Sequence, residues 1–252
     1  MTKNTDKRTL LIDGDIVLYE VTIASEFAVD WGDDMWTLHS DLKQAKERFD
    51  CWVADMQEKV GSDSSVIAFS GQSNWRKSVL PTYKANRKKK RKPLIFKPLK
   101  DYVRGRYTVY EFDALEGDDV LGLLSGSPGL GGIKGEKVVV TIDKDLMTIP
   151  GFHYYPNRPD DGIIEVSEDQ ADYNHLLQSL SGDAVDGYSG CPGIGPKRAA
   201  AALKDPSWES VVDVYRSAGL EEEDALVQAR VARILRWGEF DIKKEEVKLW
   251  QP

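Results

Sequence analysis

An α/β fold with a mostly parallel central sheet flanked by helices is the architecture this 252-residue sequence predicts, on three observations. Short apolar runs recur along the chain, two of them end in an aspartate, and segments with helical periodicity separate them. The runs are Thr9-Leu10-Leu11-Ile12-Asp13, Ser65-Val66-Ile67-Ala68-Phe69 and Lys137-Val138-Val139-Val140-Thr141-Ile142-Asp143. Continuous rather than alternating apolar residues suit strands covered on both faces, as in a parallel sheet. Asp41 to Val60 carries a helical pattern, and strands alternating with helices imply the α/β class. Asp13 and Asp143 would then stand at carboxyl ends of strands, where open α/β sheets place their ligands.

The remaining elements follow in order. Pro81 to Lys100 is strongly basic, and Lys84, Arg87, Lys88 and Arg91 recur at spacings of three and four, so in a helix they share one face. Pro93 and Pro98 would interrupt that helix. Glu116-Gly-Asp118-Asp119 opens the helical pattern Val120-Leu121-Gly-Leu123-Leu124. Ser125 to Gly135, rich in Gly, Ser and Pro, reads as a surface loop. From Ser181 onward the chain reads as helical: Lys197 to Leu203 follows a Gly-rich turn, and Val227, Val231, Ile234 and Leu235 recur at helical spacing within Asp224 to Trp237. With no repeat and no clear linker, the division expected is a 1–180 core and a helical 181–252 region packed on it.

Composition narrows the function. Hydrophobic residues make up 41% and charged residues 30%, as in ordinary globular proteins. No run of about 18 apolar residues suggests a membrane span, and Met1 to Arg8 is too polar for a signal peptide. Cytoplasmic residence is the expectation. Cys51 and Cys191 suggest no disulfide framework, and His39, His153 and His175 lack zinc-site spacing. The net charge of −8 hides a strong asymmetry: Arg76 to Arg106 holds 13 Lys or Arg against Asp101 alone, leaving about −20 for the rest. A basic strip on an acidic body is a local footprint for phosphate.

Four acidic groups stand out: Asp13 with Asp15, Glu116-Gly-Asp118-Asp119, Asp143-Lys-Asp145 and Asp183-Ala-Val-Asp186. Hard cations such as Mg²⁺ and Mn²⁺ take oxygen ligands, and like charges packed without a cation raise each other's pKa. Two ions about 4 Å apart would neutralise such a cluster, activate a water and stabilise the leaving oxygen of a phosphodiester. Acid pairs also occur as solvated groups and helix caps, and Asp15 and Asp183 fit that reading; the placement of Asp13, Asp143 and Glu116 at element ends favours ligands. The turn Gly190-Cys-Pro-Gly193-Ile-Gly195-Pro-Lys197-Arg198 can offer backbone N–H groups to a phosphate. Tyr83 is available to stack on a base, and Arg76 stands among the basic residues expected at the backbone.

In their order these motifs resemble the 5′-nuclease superfamily of flap endonucleases and 5′→3′ exonucleases, and within it the T7-type bacteriophage exonucleases. The residues that carry the likeness are Ile12-Asp13-Gly14-Asp15, Ser73-Asn-Trp75-Arg76-Lys77, Tyr83-Lys84-Ala-Asn86-Arg87-Lys88, Leu115-Glu116-Gly-Asp118-Asp119-Val120, Asp143-Lys144-Asp145, Gly182-Asp183-Ala-Val-Asp186-Gly-Tyr188-Ser-Gly190 and Ala229-Arg-Val-Ala232-Arg233-Ile234-Leu235-Arg236. The resemblance implies a PIN-like, resolvase-like nuclease core, a helical arch at about 81–104, and a helix–hairpin DNA-binding turn over Gly190 to Leu203 that holds a K⁺ ion. It implies that Asp13, Glu116, Asp118 and Asp119 hold a first Mg²⁺ or Mn²⁺, and that Asp143, Asp145, Asp183 and Asp186 hold a second. Lys84 and Arg87, with Tyr83, would serve the scissile phosphate. Arg76, Lys88, Lys89, Arg91, Gly193, Gly195, Lys197 and Arg198 would contact DNA.

The activity implied is 5′→3′ hydrolysis of duplex DNA by a monomer, extending to flaps and to the RNA of RNA–DNA hybrids, in phage replication or recombination within the host cytoplasm. One departure is visible. Where the family has an aspartate after the second strand, this chain reads Phe69-Ser70-Gly71-Gln72-Ser73. Gly71 stands at the matching position, so Asp15 is the expected substitute. Two rival readings remain: a DNA-end binder that has lost catalysis, which Gly71 alone supports and eight other matching carboxylates oppose, and a nucleotide-binding α/β protein, which the lack of a Gly-rich loop after the first strand opposes.

Overall fold

The strands in chain order are β1 (Arg8–Asp13), β2 (Glu26–Asp30), β3 (Trp36–Ser40), β4 (Ser64–Ser70), β5 (Thr108–Phe112), β6 (Glu136–Val140), β7 (Gly151–Tyr154), β8 (Ile163–Val166), β9 (Phe240–Asp241) and β10 (Glu246–Val247). The structure is a computed structural model and describes residues 8–87, 91–133 and 135–252. Six strands form one sheet in the order β5-β4-β1-β6-β7-β8, parallel throughout except for the antiparallel pair β7–β8. β2–β3 and β9–β10 are separate two-stranded hairpins. From β1 the chain moves outward to β4 and β5, then returns to place β6 on the other side of β1. The crevice beyond β1 and β6 is therefore the switch point at which such sheets bind ligands.

Helices cover both faces. Leu10 and Ile12 of β1 point to the layer formed by α1 (Gly14–Ile23), α2 (Leu42–Val60) and α4 (Phe96–Arg106), where Leu18, Phe49, Met56, Leu99 and Val103 are buried. Leu11 points to the opposite layer, where α5 (Gly117–Gly126) contributes Val120, Leu121, Leu123 and Leu124. This two-sided burial explains why the strand runs are continuously apolar. A third cluster joins α6 (Glu168–Ser181), α7 (Pro196–Ala202), α8 (Trp208–Ser217) and α9 (Glu222–Ala232) around Leu176, Leu180, Ala199, Val211, Tyr215 and Ala225. That helical layer includes α6, so it begins upstream of residue 181. Cys191 is buried within it and Cys51 is exposed on α2, both as free thiols. Among the described residues no helix is long and apolar enough to cross a membrane.

Three segments differ from expectation. Residues 81–87 form successive turns after the short helix α3 (Arg76–Val79), rather than a basic α-helix. Lys84 has a left-handed φ of 56° and donates its backbone N–H to the Asp186 carbonyl at 2.7 Å, so the helical ladder cannot run through it. Lys88 and Lys89 lie outside the described residues. Pro98 falls inside α4 and does not break it, because the first-turn N–H groups need no intrahelical partner. At the C-terminal side, α9 ends at Ala232 instead of continuing through Leu235. There Leu235 N–H bonds Asp119, and Arg76 takes the carbonyls of Val231 and Arg233. Ile234 and Leu235 are buried in the sheet-side core, so their apolar spacing reflected a different burial. β6 also stops at Val140, three residues before Asp143.

Candidate functional site

Asp13 is the last residue of β1 and the N-cap of α1, accepting from Ile16 N at 3.4 Å and from Thr141 Oγ1 at 3.0 Å. It is 3% exposed. Burial first, then the charges of Asp15 and Asp143, push its carboxyl up to about 7. Gly14 follows because a Cβ there would lie within 2.7 Å of the Ala68 carbonyl. Asp143 caps a 3₁₀ turn over Lys144–Thr148 and accepts from Asp145 N at 2.9 Å. Asp145 accepts from Gln178 Nε2 of α6 at 2.8 Å, and burial with the charges of Asp143 and Asp183 raises it to about 6.

From the other side, the N-terminal turn of α5 brings Glu116 and Asp118. Burial, Asp13, Glu116 and Asp143 together raise Asp118 well above the carboxylate range, and Lys84 offsets only part of this. Glu116 behaves oppositely. Burial raises it, but Arg76 and Lys84 prevail and hold it down at about 2. Its Oε2 accepts from Arg76 at 3.0 Å and from the Tyr83 hydroxyl at 3.0 Å, and its Oε1 pairs with Lys84 Nζ.

The loop after α6 supplies the third side. Asp183 folds it into a turn, accepting from Val185 N at 2.6 Å. Asp186 accepts from Tyr83 at 3.0 Å, lies 3.4 Å from Lys84 Nζ and pairs with Arg87. Asn86 Nδ2 donates to the Ala184 carbonyl at 2.7 Å. The base of the basic segment is thus docked on the Asp183–Tyr188 loop. Lys84 and Arg87 do meet at one anionic point, though by way of turns and not a shared helical face.

Several expectations are corrected by burial. Tyr83 is 3% exposed and its ring packs with Tyr188, Val231 and Ala232, so it offers no face to a base. Arg76 is 3% exposed and engaged by Asp119, so it does not reach a DNA backbone. Asp119 is fully buried; both oxygens are taken by Arg76 at 2.7 Å, with Trp75 Nε1 at 3.0 Å and Leu235 N at 3.1 Å. With both oxygens engaged by these buried donors, Asp119 is held as a structural anion. Arg91 forms a two-pronged pair with Glu26 of β2, both contacts 2.8 Å. Gly71 admits no side chain: a Cβ there would coincide with the carbonyl oxygens of Phe112 and Asp113. Asp15 sits nearby, accepting from Ser70 N at 2.7 Å.

In the Gly-rich turn, Gly193 has a φ of 75° and, like Gly195, open surroundings; Lys197 and Arg198 are exposed on α7. Arg198 folds back to the Gly193 carbonyl at 2.9 Å. Sequence reasoning did not single out Thr141 or Gln178. Thr141 had a signal, a hydroxyl interrupting an apolar run two residues before Asp143; Gln178 had none.

Asp13, Asp118, Asp143 and Asp145 therefore crowd at the switch point with raised proton affinity at three of the four. Hard oxygen donors that repel one another are the donor set of a divalent ion such as Mg²⁺. In their present rotamers, no three His, Cys, Asp or Glu side chains among the described residues converge into a ready ion cage.

Residues 8–155 match the family model for the 5′-3′ exonuclease, N-terminal resolvase-like domain. The chain is 30% identical to the exonuclease of Escherichia phage T7, with 98% of this chain and 94% of the relative covered. It is 29% identical to the exodeoxyribonuclease of Enterobacteria phage T3 over the same shares. Among solved structures, the phage T5 D15 protein co-crystallised with metal ions superposes with a TM-score of 0.69 at 12% identity, covering 90% of this chain and 89% of that one.

Proposed function

Because the chain belongs to the 5′-3′ exonuclease family, we propose that it is a divalent-metal-dependent nuclease hydrolysing phosphodiester bonds of duplex DNA from 5′ ends. The observation that carries this reading is the crowding of Asp13, Asp118 and Asp143, whose mutual repulsion a bound cation would relieve. Asp13, Glu116 and Asp118 would hold one Mg²⁺ or Mn²⁺ ion, and Asp143, Asp145, Asp183 and Asp186 a second. When bound, such a pair supplies an activated water and neutralises charge on the scissile phosphate.

The chain's own groups do the rest. Lys84 and Arg87 exchange their carboxylate partners for phosphate oxygens, where positive charge counts most as the transition state builds negative charge. Tyr83 holds the arch base against Glu116 and Asp186. Lys88 and Lys89 add positive charge for the DNA backbone. Gly193, Gly195, Lys197 and Arg198 grip the duplex backbone by exposed N–H groups and charge, with a K⁺ ion at the turn. The same site acts on 5′ flaps and on RNA–DNA hybrids. The protein works as a monomer in the cytoplasm of the host cell, in phage DNA replication.

Digestion of 5′-end-labelled duplex, flap and hybrid substrates with Mg²⁺ and with EDTA tests this. Release of short products from 5′ ends, abolished by EDTA, is the expected result. The rival is a DNA-end binder without catalysis, whose one support in the sequence is Gly71. Tight binding with no cleavage at any Mg²⁺ or Mn²⁺ concentration would establish it.

A further inference from the structure

Arg76 uses every hydrogen-bond donor of its guanidinium. Nε donates to the Val231 carbonyl at 2.9 Å. One terminal nitrogen donates to Asp119 Oδ2 at 2.7 Å and to Glu116 Oε2 at 3.0 Å. The other donates to Asp119 Oδ1 at 2.7 Å and to the Arg233 carbonyl at 2.6 Å. The Trp75 ring lies beneath, 4.7 Å from the guanidinium carbon. These partners come from two distant parts of the chain: the first turn of α5, with Glu116 and Asp119, and the C-terminal end of α9, with Val231 and Arg233. A planar fork pinned along two edges has no freedom left. Its remaining contact, Glu116, is therefore placed by the other four. Asp119 is locked in turn by Trp75 and by Leu235 N, so the seating of residues 231–235 reaches Glu116 through one rigid ion pair.

We propose that Arg76 is a positioning residue: anchored on Asp119 and on the carbonyls of Val231 and Arg233, it aims Glu116 into the cleft, so that the seating of the chain after α9 sets how tightly the carboxylate cluster holds a divalent ion. The inference rests on the reading of that cluster as a divalent-ion site. Groups that orient metal ligands without touching the metal are worth about 10- to 100-fold in affinity. Arg76→Lys keeps a charge but cannot span Asp119 and the two carbonyls. Asp119→Asn keeps the shape but weakens the anchor.

The test is Mn²⁺ affinity of the full chain, read by electron paramagnetic resonance without DNA, with folding checked by circular dichroism. Arg76→Lys and Asp119→Asn should each bind Mn²⁺ about tenfold more weakly or worse. Glu116→Gln should also weaken binding, and adding Arg76→Lys to Glu116→Gln should cost nothing more. A general loss of structure would instead weaken both backgrounds equally, and that result overturns the proposal. So does wild-type Mn²⁺ affinity in folded Arg76→Lys, or in Asp119→Asn should the lysine variant fail to fold. Glu116→Gln separates the two levels: undiminished Mn²⁺ affinity there removes Glu116 from the metal site and this proposal with it. Weakened binding in Glu116→Gln alone removes only the role of Arg76.

Discussion

Replacing Asp13 by Asn should make the metal-free protein more stable while destroying its ion site. Asp13 is raised from 3.8 to about 7 in the fold. A folded-state value above the unfolded one means that the folded protein binds the extra proton between these limits. In EDTA, stability therefore falls as pH climbs from about 4 to about 7 and stays low above. A shift of about three units corresponds to roughly 4 kcal/mol when the group is fully ionised. Asn removes that charge but weakens the cap on Ile16 and the Thr141 hydrogen bond, which costs about 1 kcal/mol. The net gain at pH 8 is then roughly 2–3 kcal/mol, or about 5–10 °C in melting temperature for a chain of this size. At pH 4, where wild-type Asp13 is protonated, the gain should vanish. With Mg²⁺ the order should reverse, because ligand binding to the folded state stabilises only the wild type. Calorimetry at pH 4 and pH 8, with EDTA or Mg²⁺, measures all four values. A variant no more stable than wild type at pH 8 in EDTA, or equally stabilised at both pH values, would refute the reasoning.

Three other outcomes are expected. Asp143→Ala and Asp145→Ala should abolish cleavage yet leave duplex affinity measured in EDTA nearly intact; near-normal single-turnover rates in both would remove the pair from the metal site. Arg87→Ala should lower the single-turnover rate by about 10²-fold or more while affinity changes little, whereas the triple change of Lys88, Lys89 and Lys90 to Ala should flatten the slope of log affinity against log salt; equal saturated rates for the two variants would deny Arg87 a chemical role. Gly71→Asp should not restore a carboxylate to the site, because its Cβ meets two backbone carbonyls; it should cost about 3 kcal/mol or more of stability, and a folded variant with raised Mn²⁺ affinity would contradict that packing.

Local pattern alone determined a good deal here. The three apolar runs became β1, β4 and β6 because strands covered on both faces need continuous apolar residues, and Asp13 ends β1 as read. Glu116 starts α5 and Asp41 caps α2, since caps act within one turn and so are written in neighbouring residues. The order β5-β4-β1-β6, which creates the switch point, appears in no local pattern. Neither does the fate of each charge. Arg76 and Asp119 read as one more cation and one more ligand, yet they close on each other across 43 positions and on carbonyls 155 and 157 positions away. Tyr83, Lys84 and Arg87 reach Asp186 about 100 positions downstream, which bends their backbone out of the helix their spacing suggested. Residue type states what a side chain can bind, whereas its direction is decided by which distant group offers the stronger partner once water is excluded. For buried charges that partner is nearly obligatory, so tertiary structure decides which of the chain's many acids and bases remain in the cleft.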